Sequence, residues 1–445
     1  MASQKIDRIL KPVERYMHNE STAGIMLLAS ALIAIGWANS PFGDSYFHFW
    51  EYEVAIRVAN YEIANTLHTW INDGLMAMFF FVIGLELKRE IIAGELSDIK
   101  KALLPLVTAV GGMLIPAAIY IVWNPSGPAN DGWGIPMATD IAFALGIISL
   151  LGKRVPVVLK IFLTALAIAD DIGAVLVIAF FYTSQISFWS LGLGALFVII
   201  LLVANYVGVR NTLFYGLVGI GGVWLAFLMS GVHATIAGVI AAFAIPARTK
   251  INEQRFIDVL DEKLKEFHTI PPNDVTLLEP AQYRVIQNIY QLTKAAGTPL
   301  QKLEYQLHPW VSFVIMPLFA LANAGIILDE KLMQSIFSSG ITMGVFWGLT
   351  AGKLLGVVIF CWLMVKLRLS ALPEGMTWGH LWGIGLLAGV GFTMSLFVTT
   401  LAFKEPQAVA AAKAGILAAS IISGVAGYFV LKKVSRYSKT LGTLK

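Results

Sequence analysis

Runs of about twenty apolar residues recur along the whole chain, and that recurrence leaves few folds open. A helix of that length spans the hydrocarbon core of a bilayer, where every backbone N–H and C=O must be satisfied inside the segment. Only 13% of the 445 residues are charged and 57% are hydrophobic. Soluble domains carry about a quarter charged residues, so a soluble globule is excluded. The expected fold class is an all-α polytopic membrane protein. The runs lie at 23–39, 67–88, 102–123, 134–151, 155–182, 188–208, 212–229, 231–247, 308–328, 341–365, 380–403 and 407–431, which gives about twelve transmembrane helices.

Charge orients them. Counting connections alternately, one side receives Lys5, Arg8, Lys11, Arg15, Lys88, Arg89, Lys100, Lys101, Lys153, Arg154, Arg210, Lys366 and Arg368, and then the basic tail from Lys432 to Lys445. The other receives Arg57, Lys331 and Lys404. The positive-inside rule then puts both termini in the cytoplasm. Residues 1–247 hold eight spans, with an external hairpin near 41–62 suggested by the period of two in Tyr52, Val54, Ile56 and Val58. A polar cytoplasmic insertion follows at 248–307, where Phe256, Leu260, Leu264 and Phe267 recur at helical spacing, as do Ile286, Ile289, Tyr290 and Thr293. Residues 308–445 carry four more spans and the tail. The single cysteine, Cys361, excludes an intrachain disulfide framework.

Against that apolar background a few residues carry the chemistry. Asp170 and Asp171 are adjacent inside the fifth run, and Lys353 stands alone in the tenth. Ionisable groups at that depth bind an ion, relay a proton or pair with an opposite charge. Neighbours on a helix point about 100° apart, so one carboxylate can face a cation while the other faces a positive partner. A stabilising ion pair with Lys353 is the plainer reading, but one aspartate would suffice for it. Thr139-Asp140 follows Gly134-Ile135-Pro136, where proline can interrupt the helix. Asp140 then either compensates a half-helix end or caps a helix near the surface. Ala388-Gly389-Val390-Gly391 is the matching weak point in the eleventh run, so 102–182 and 341–431 read as two three-helix units with broken middle helices. Glu86, Arg89 and Glu90 gather at one span terminus, as an interfacial anchor or as a pH-responsive mouth. His233 begins another span, where it either senses pH or makes an ordinary interfacial hydrogen bond. No HExxH, paired-cysteine or clustered-histidine pattern supports a metal enzyme.

In these residues the chain resembles the NhaA-type sodium/proton antiporters. The motifs are Trp70-Ile71-Asn72-Asp73, Gly84-Leu85-Glu86-Leu87-Lys88-Arg89-Glu90, Ala138-Thr139-Asp140-Ile141-Ala142-Phe143-Ala144 and Ala169-Asp170-Asp171-Ile172-Gly173-Ala174. They continue as Ser230-Gly231-Val232-His233-Ala234-Thr235, His308-Pro309-Trp310, Gly352-Lys353-Leu354-Leu355-Gly356 and Gly389-Val390-Gly391-Phe392-Thr393-Met394-Ser395. The resemblance implies inverted three-helix repeats with two discontinuous crossing helices, an architecture for which this family is a known example. It implies electrogenic export of Na⁺ or Li⁺ in exchange for H⁺ by a secondary transporter of the bacterial inner membrane, with no resident cofactor and no nucleic-acid partner. Asp171 and Asp170 would form the cation and proton site, Asp170 exchanging between Lys353 and its own proton. Asp140 and Thr139 would sit where the broken helices cross. Glu86, Arg89, Glu90 and Glu304 would shape a cytoplasmic pH response that His233 influences, and the hairpin would make a homodimer. The connection between the eighth and ninth spans is much longer than is usual in that family. An intramembrane aspartyl protease would need its aspartates on facing helices in Gly-x-Gly-Asp settings, which are absent. A sodium-coupled symporter or a channel fits the residues less well.

Overall fold

The computed structural model describes residues 20–442, apart from 59–60, 184–186, 272–276 and 329–337. The basic residues Lys5, Arg8, Lys11, Arg15, Lys331 and Lys445 lie outside that description. Each apolar run contains helix. The elements are α1 (Glu20–Ala38), α2 (Gly43–Glu51), β1 (Glu53–Val58) and β2 (Tyr61–Thr66), then α3 (Met76–Ala93), α4 (Ile99–Trp123), α5 (Ile141–Leu150) and α6 (Val157–Phe181). They continue with α7 (Phe188–Val207), α8 (Thr212–Leu228), α9 (Ala234–Ala244), α10 (Glu253–Thr269), α11 (Pro280–Ala296) and α12 (Pro299–Asn323). The last are α13 (Gly340–Lys366), α14 (Trp378–Ala388), α15 (Phe392–Ala402) and α16 (Pro406–Gly442). Among the described residues, seven helices are long and apolar enough to cross a membrane alone, or up to nine if each of two bent pairs counts as one span. The chain is an all-α polytopic membrane protein.

The spans sort into two bundles. α3 packs with α9 and α12, and α7 and α8 pack onto α9. The second bundle is α4, α5, α6, α13, α14, α15 and α16, and α1 touches both through α5 and α12. Each bundle has its own apolar core, around Leu85, Leu201 and Ala237 in the first and Leu104, Leu163 and Val357 in the second. Phe80, Phe319 and Phe397 stack where the two meet.

Glycine brings α13 against α4. A Cβ on Gly356 would lie 2.2 Å from the Gly111 carbonyl oxygen, and one on Gly352 would lie 2.8 Å from the Pro116 Cα. Only bare backbone allows that approach, which carries Lys353 into the bundle. A widened, π-type turn over Gly348–Gly352 ends immediately before that lysine.

Two corrections concern boundaries. The stretch 43–51 is helical, turned 113° from α1, and the antiparallel hairpin pairs Glu53 with Thr66 through Val58 with Tyr61, running past Glu62. The ninth span begins at Pro299, capped by the Thr298 side chain, so the last turns of the polar segment belong to it. The rest of that segment folds as α10 and α11, packed together, the first capped by Asn252 and the second by a Glu279–Gln282 box with Pro280 in its first turn.

Candidate functional site

Two helices break at the same place. Pro128–Met137 is a 3₁₀ stretch, the backbone is extended through Ala138 and Asp140, and α5 then begins. Gly389 to Gly391 separates α14 from α15, which are bent by 42°. Proline lacks the N–H a helix needs and glycine tolerates the turn. The broken segments cross: the Asp140 N–H donates to the Val390 carbonyl at 2.7 Å, and the Ser395 hydroxyl donates to the Ile135 carbonyl at 2.8 Å. The first half of one lies with the second half of the other, so the two run in opposite directions.

That crossing aims the N-termini of α5 and α15 at one point, where each carries partial positive charge and unpaired N–H groups. Asp140 occupies the point. Its Oδ1 accepts from the Phe143 N–H at 3.0 Å, and its Oδ2 accepts from the Thr393 N–H at 3.1 Å and from the Thr393 hydroxyl. One buried carboxylate therefore caps two helices.

Asp170 and Asp171 sit at the middle of α6, and with Lys353 they are at most 1% exposed. Their surroundings differ. Asp170 Oδ2 accepts from Lys353 Nζ at 2.5 Å and from the Thr139 hydroxyl at 2.7 Å. The same hydroxyl lies 2.9 Å from the Ala388 carbonyl, so its one proton chooses between the carboxylate and the frayed end of α14. Neither oxygen of Asp171 has a hydrogen-bond partner, nor has Asp170 Oδ1. Buried polar atoms are almost always paired, and two orphaned carboxylate oxygens on one side chain mark a place where something else binds.

Asp171 and Asp140 line a cavity of about 440 Å³ that opens between α3, α5 and α12. Glu86, Arg89, Glu304 and His308 stand along it. Arg89 bridges Glu304 at 2.6 Å and Glu90 at 2.9 Å, and Glu86 lies 3.8 Å from His308. The structure thus brings together Asp140, Thr139, Asp170, Asp171 and Lys353 at the crossing, and Glu86, Arg89, Glu90 and Glu304 at the mouth. His233 is not among them. It stands at the other end of α9, with Nε2 2.7 Å from the Tyr182 carbonyl, while the far end of α9 is capped by Lys88 on the mouth side. Among the described residues, no three His, Cys, Asp or Glu side chains are arranged to hold a metal ion.

Sequence reasoning passed over four features. Thr393 and His308 lay in motifs but had no assigned partner until the fold placed them against Asp140 and Glu86. Asn72, Asn323 and His68 form a hydrogen-bonded chain at the side away from the mouth. Lys413 lies a few residues inside the last apolar run, the same signal of a lone lysine that singled out Lys353.

The Na+/H+ antiporter 1 family model matches residues 14–431. The Na(+)/H(+) antiporter NhaA of Oleidesulfovibrio alaskensis is 48% identical over 98% of this chain and 96% of its own. That of Acidithiobacillus ferrooxidans is 48% identical over 96% and 98%, and NhaA 1 of Saccharophagus degradans is 44% identical over 99% and 95%. Each of these matches spans nearly the full length of both chains.

Proposed function

The chain belongs to the Na+/H+ antiporter 1 family, and from that premise we propose that it exports Na⁺ or Li⁺ electrogenically in exchange for protons, at Asp171 and Asp170, by alternating access. The observation that carries the reading is Asp171: fully buried, at the floor of the cavity, with both oxygens unpartnered. A carboxylate so placed holds either a proton or a small hard cation, and not both.

With the cavity open to the cytoplasm, a cation enters past Glu86 and Glu304 and is drawn to Asp171, completing its shell with water and carbonyl oxygens. Its charge expels the proton from Asp171. It also draws Asp170 away from Lys353, whose ammonium, left without its counter-ion, gives a second proton to water, and Thr139 can turn its proton to the Ala388 carbonyl as Asp170 leaves. With the cation held between the two carboxylates and the lysine neutral, the bundles rock and the cation leaves outside. External protons then reload Asp171 and Lys353, and the lysine takes Asp170 back. Exchange of more than one proton per cation makes the cycle electrogenic, and the membrane potential contributes about 2.3 kcal/mol per net charge per 100 mV. The excess of Lys and Arg on the mouth side orients that side to the cytoplasm of a bacterial inner membrane, and the β1–β2 hairpin is the surface for a homodimer. Arg89, with Glu90 and Glu304, ties α3 to α12 at the mouth and is the site of a pH response.

Everted membrane vesicles with an acid interior test this. Added Na⁺ or Li⁺ collapses the pH gradient with the native protein and leaves it standing with Asp171→Asn. Exchange of normal apparent affinity in Asp171→Asn would refute the site, and no collapse at any pH from mildly acidic to alkaline would refute antiport.

A further inference from the structure

On the face away from the cavity, the two bundles are joined through a partly buried lysine that the ion pair at the site does not use. Lys413 lies on α16 in the second bundle. Its Nζ donates to the carbonyl of Gly325, just past the end of α12 in the first bundle, at 3.3 Å. The acceptor is firmly held on its own side. The Gly325 N–H donates to the Tyr46 hydroxyl at 3.1 Å, that hydroxyl donates to the Leu321 carbonyl, and Asn323 is tied to Asn72. The lysine is the poorly served partner. An ammonium carries three donors, and charge-assisted hydrogen bonds run at about 2.7–2.9 Å. Among the described residues no carboxylate pairs with it, and its neighbours Ala412 and Ala414 are buried and apolar.

We propose that Lys413 is a positioning residue for the transport cycle: a charge held under-hydrated while this face is closed, which favours opening of the face because opening returns it to water. The inference rests on the alternating-access reading above. A charge partly withdrawn from water with one long hydrogen bond in exchange raises the free energy of the state that holds it there. If the bundles separate at this face, Nζ exchanges one carbonyl for full hydration, and the state open on the far side gains relative to the state seen here. A latch would be built differently, with a short, paired contact whose loss opens the face.

The two devices predict opposite signs. Lys413→Met keeps the length and apolar stem and removes the charge. In proteoliposomes it should lower the maximal exchange rate on the order of tenfold, the factor that ~1.4 kcal/mol makes in a two-state ratio. The apparent KM for Na⁺ on the mouth side should stay the same or fall, because the mouth-open state becomes more populated. The purified protein should unfold at a higher temperature than native. Lys413→Arg, which keeps the charge, should exchange at near-native rate. An unchanged or raised rate in Lys413→Met, a lowered unfolding temperature, or an Arg variant as slow as the Met variant overturns the proposal. Absence of exchange in the native protein would instead sink the transport reading, and the unfolding temperatures would still report whether the lysine burdens the closed face.

Discussion

Asp140 offers the sharpest energetic test, because its role can be worked out from its hydrogen bonds. It accepts from the Phe143 N–H, the Thr393 N–H and the Thr393 hydroxyl, and so serves the first turns of both α5 and α15. Replacing a capping side chain by alanine costs about 1 kcal/mol per helix, so two helices lose about 2. Removing the negative charge between two positive helix ends costs about 1 kcal/mol more for each end in partly buried geometry. Asp140→Ala should therefore cost about 4 kcal/mol, at the upper limit of single substitutions. Asp140→Asn keeps one amide oxygen as acceptor for one of the two helices and loses the charge, so its cost is about 3 kcal/mol by the same bookkeeping. Thermal unfolding of the purified protein in detergent should give the order native, Asn, Ala. The reasoning fails if the Ala variant is as stable as the Asn variant, or if both match native protein, since one carboxylate would then not be holding two helix ends.

Two further outcomes follow from the packing. Lys353→Met leaves Asp170 buried without its cation and should destabilise by about 3–5 kcal/mol, whereas the neutral pair Asp170→Asn with Lys353→Gln should recover most of that loss in the same unfolding assay. Gly356→Leu puts a side chain where the Gly111 carbonyl lies, and membrane-inserted protein should fall to a small fraction of native on immunoblots; Gly36→Ala, with nothing within 4 Å of the added Cβ, should be recovered at native level.

Much of the architecture was legible in the sequence because a bilayer enforces simple rules. The apolar runs had to be helices, and the two breaks fell at Pro136 and at Gly389 to Gly391, where no continuous ladder of hydrogen bonds survives. Local signals of mixed character were read less well. Residues 43–51 combine Asp44, Ser45 and Glu51 with four aromatic side chains, a pattern of neither a span nor a strand, and they form a helix lying across the end of α1. Pro299 to Leu307 reads as the end of a polar connection, yet its Glu304 and Gln301 are in the helix, facing the mouth. Pairing was the least legible. The 100° between adjacent helix residues says that Asp170 and Asp171 face different ways, but which of them meets Lys353 depends on how α6 and α13 each pack on α4, and no local signal gives that packing. The charged mouth is recognisable as a group, and His233, at the external start of its span, stands at the opposite end of that helix with its ring nitrogen on the Tyr182 carbonyl.

The division of labour between the aspartates then has a physical cause. Two carboxylates in low dielectric cannot both stay ionised without compensation. Asp170 has a fixed cation and a switchable hydroxyl within reach, and Asp171 has neither. Charge arriving at Asp171 from the mouth is therefore felt at once by Asp170, which has somewhere else to put its demand for a positive partner. Thr139 connects that demand to the crossing, because the proton it gives to Asp170 is one it withholds from the Ala388 carbonyl at the end of α14. Occupancy of the site and the hydrogen bonding of a broken helix are coupled through a single hydroxyl, at the point where the two halves of the second bundle meet. A threonine-to-valine change there should leave the ion pair standing and sever that coupling, so cation binding would persist while its effect on exchange rate is lost.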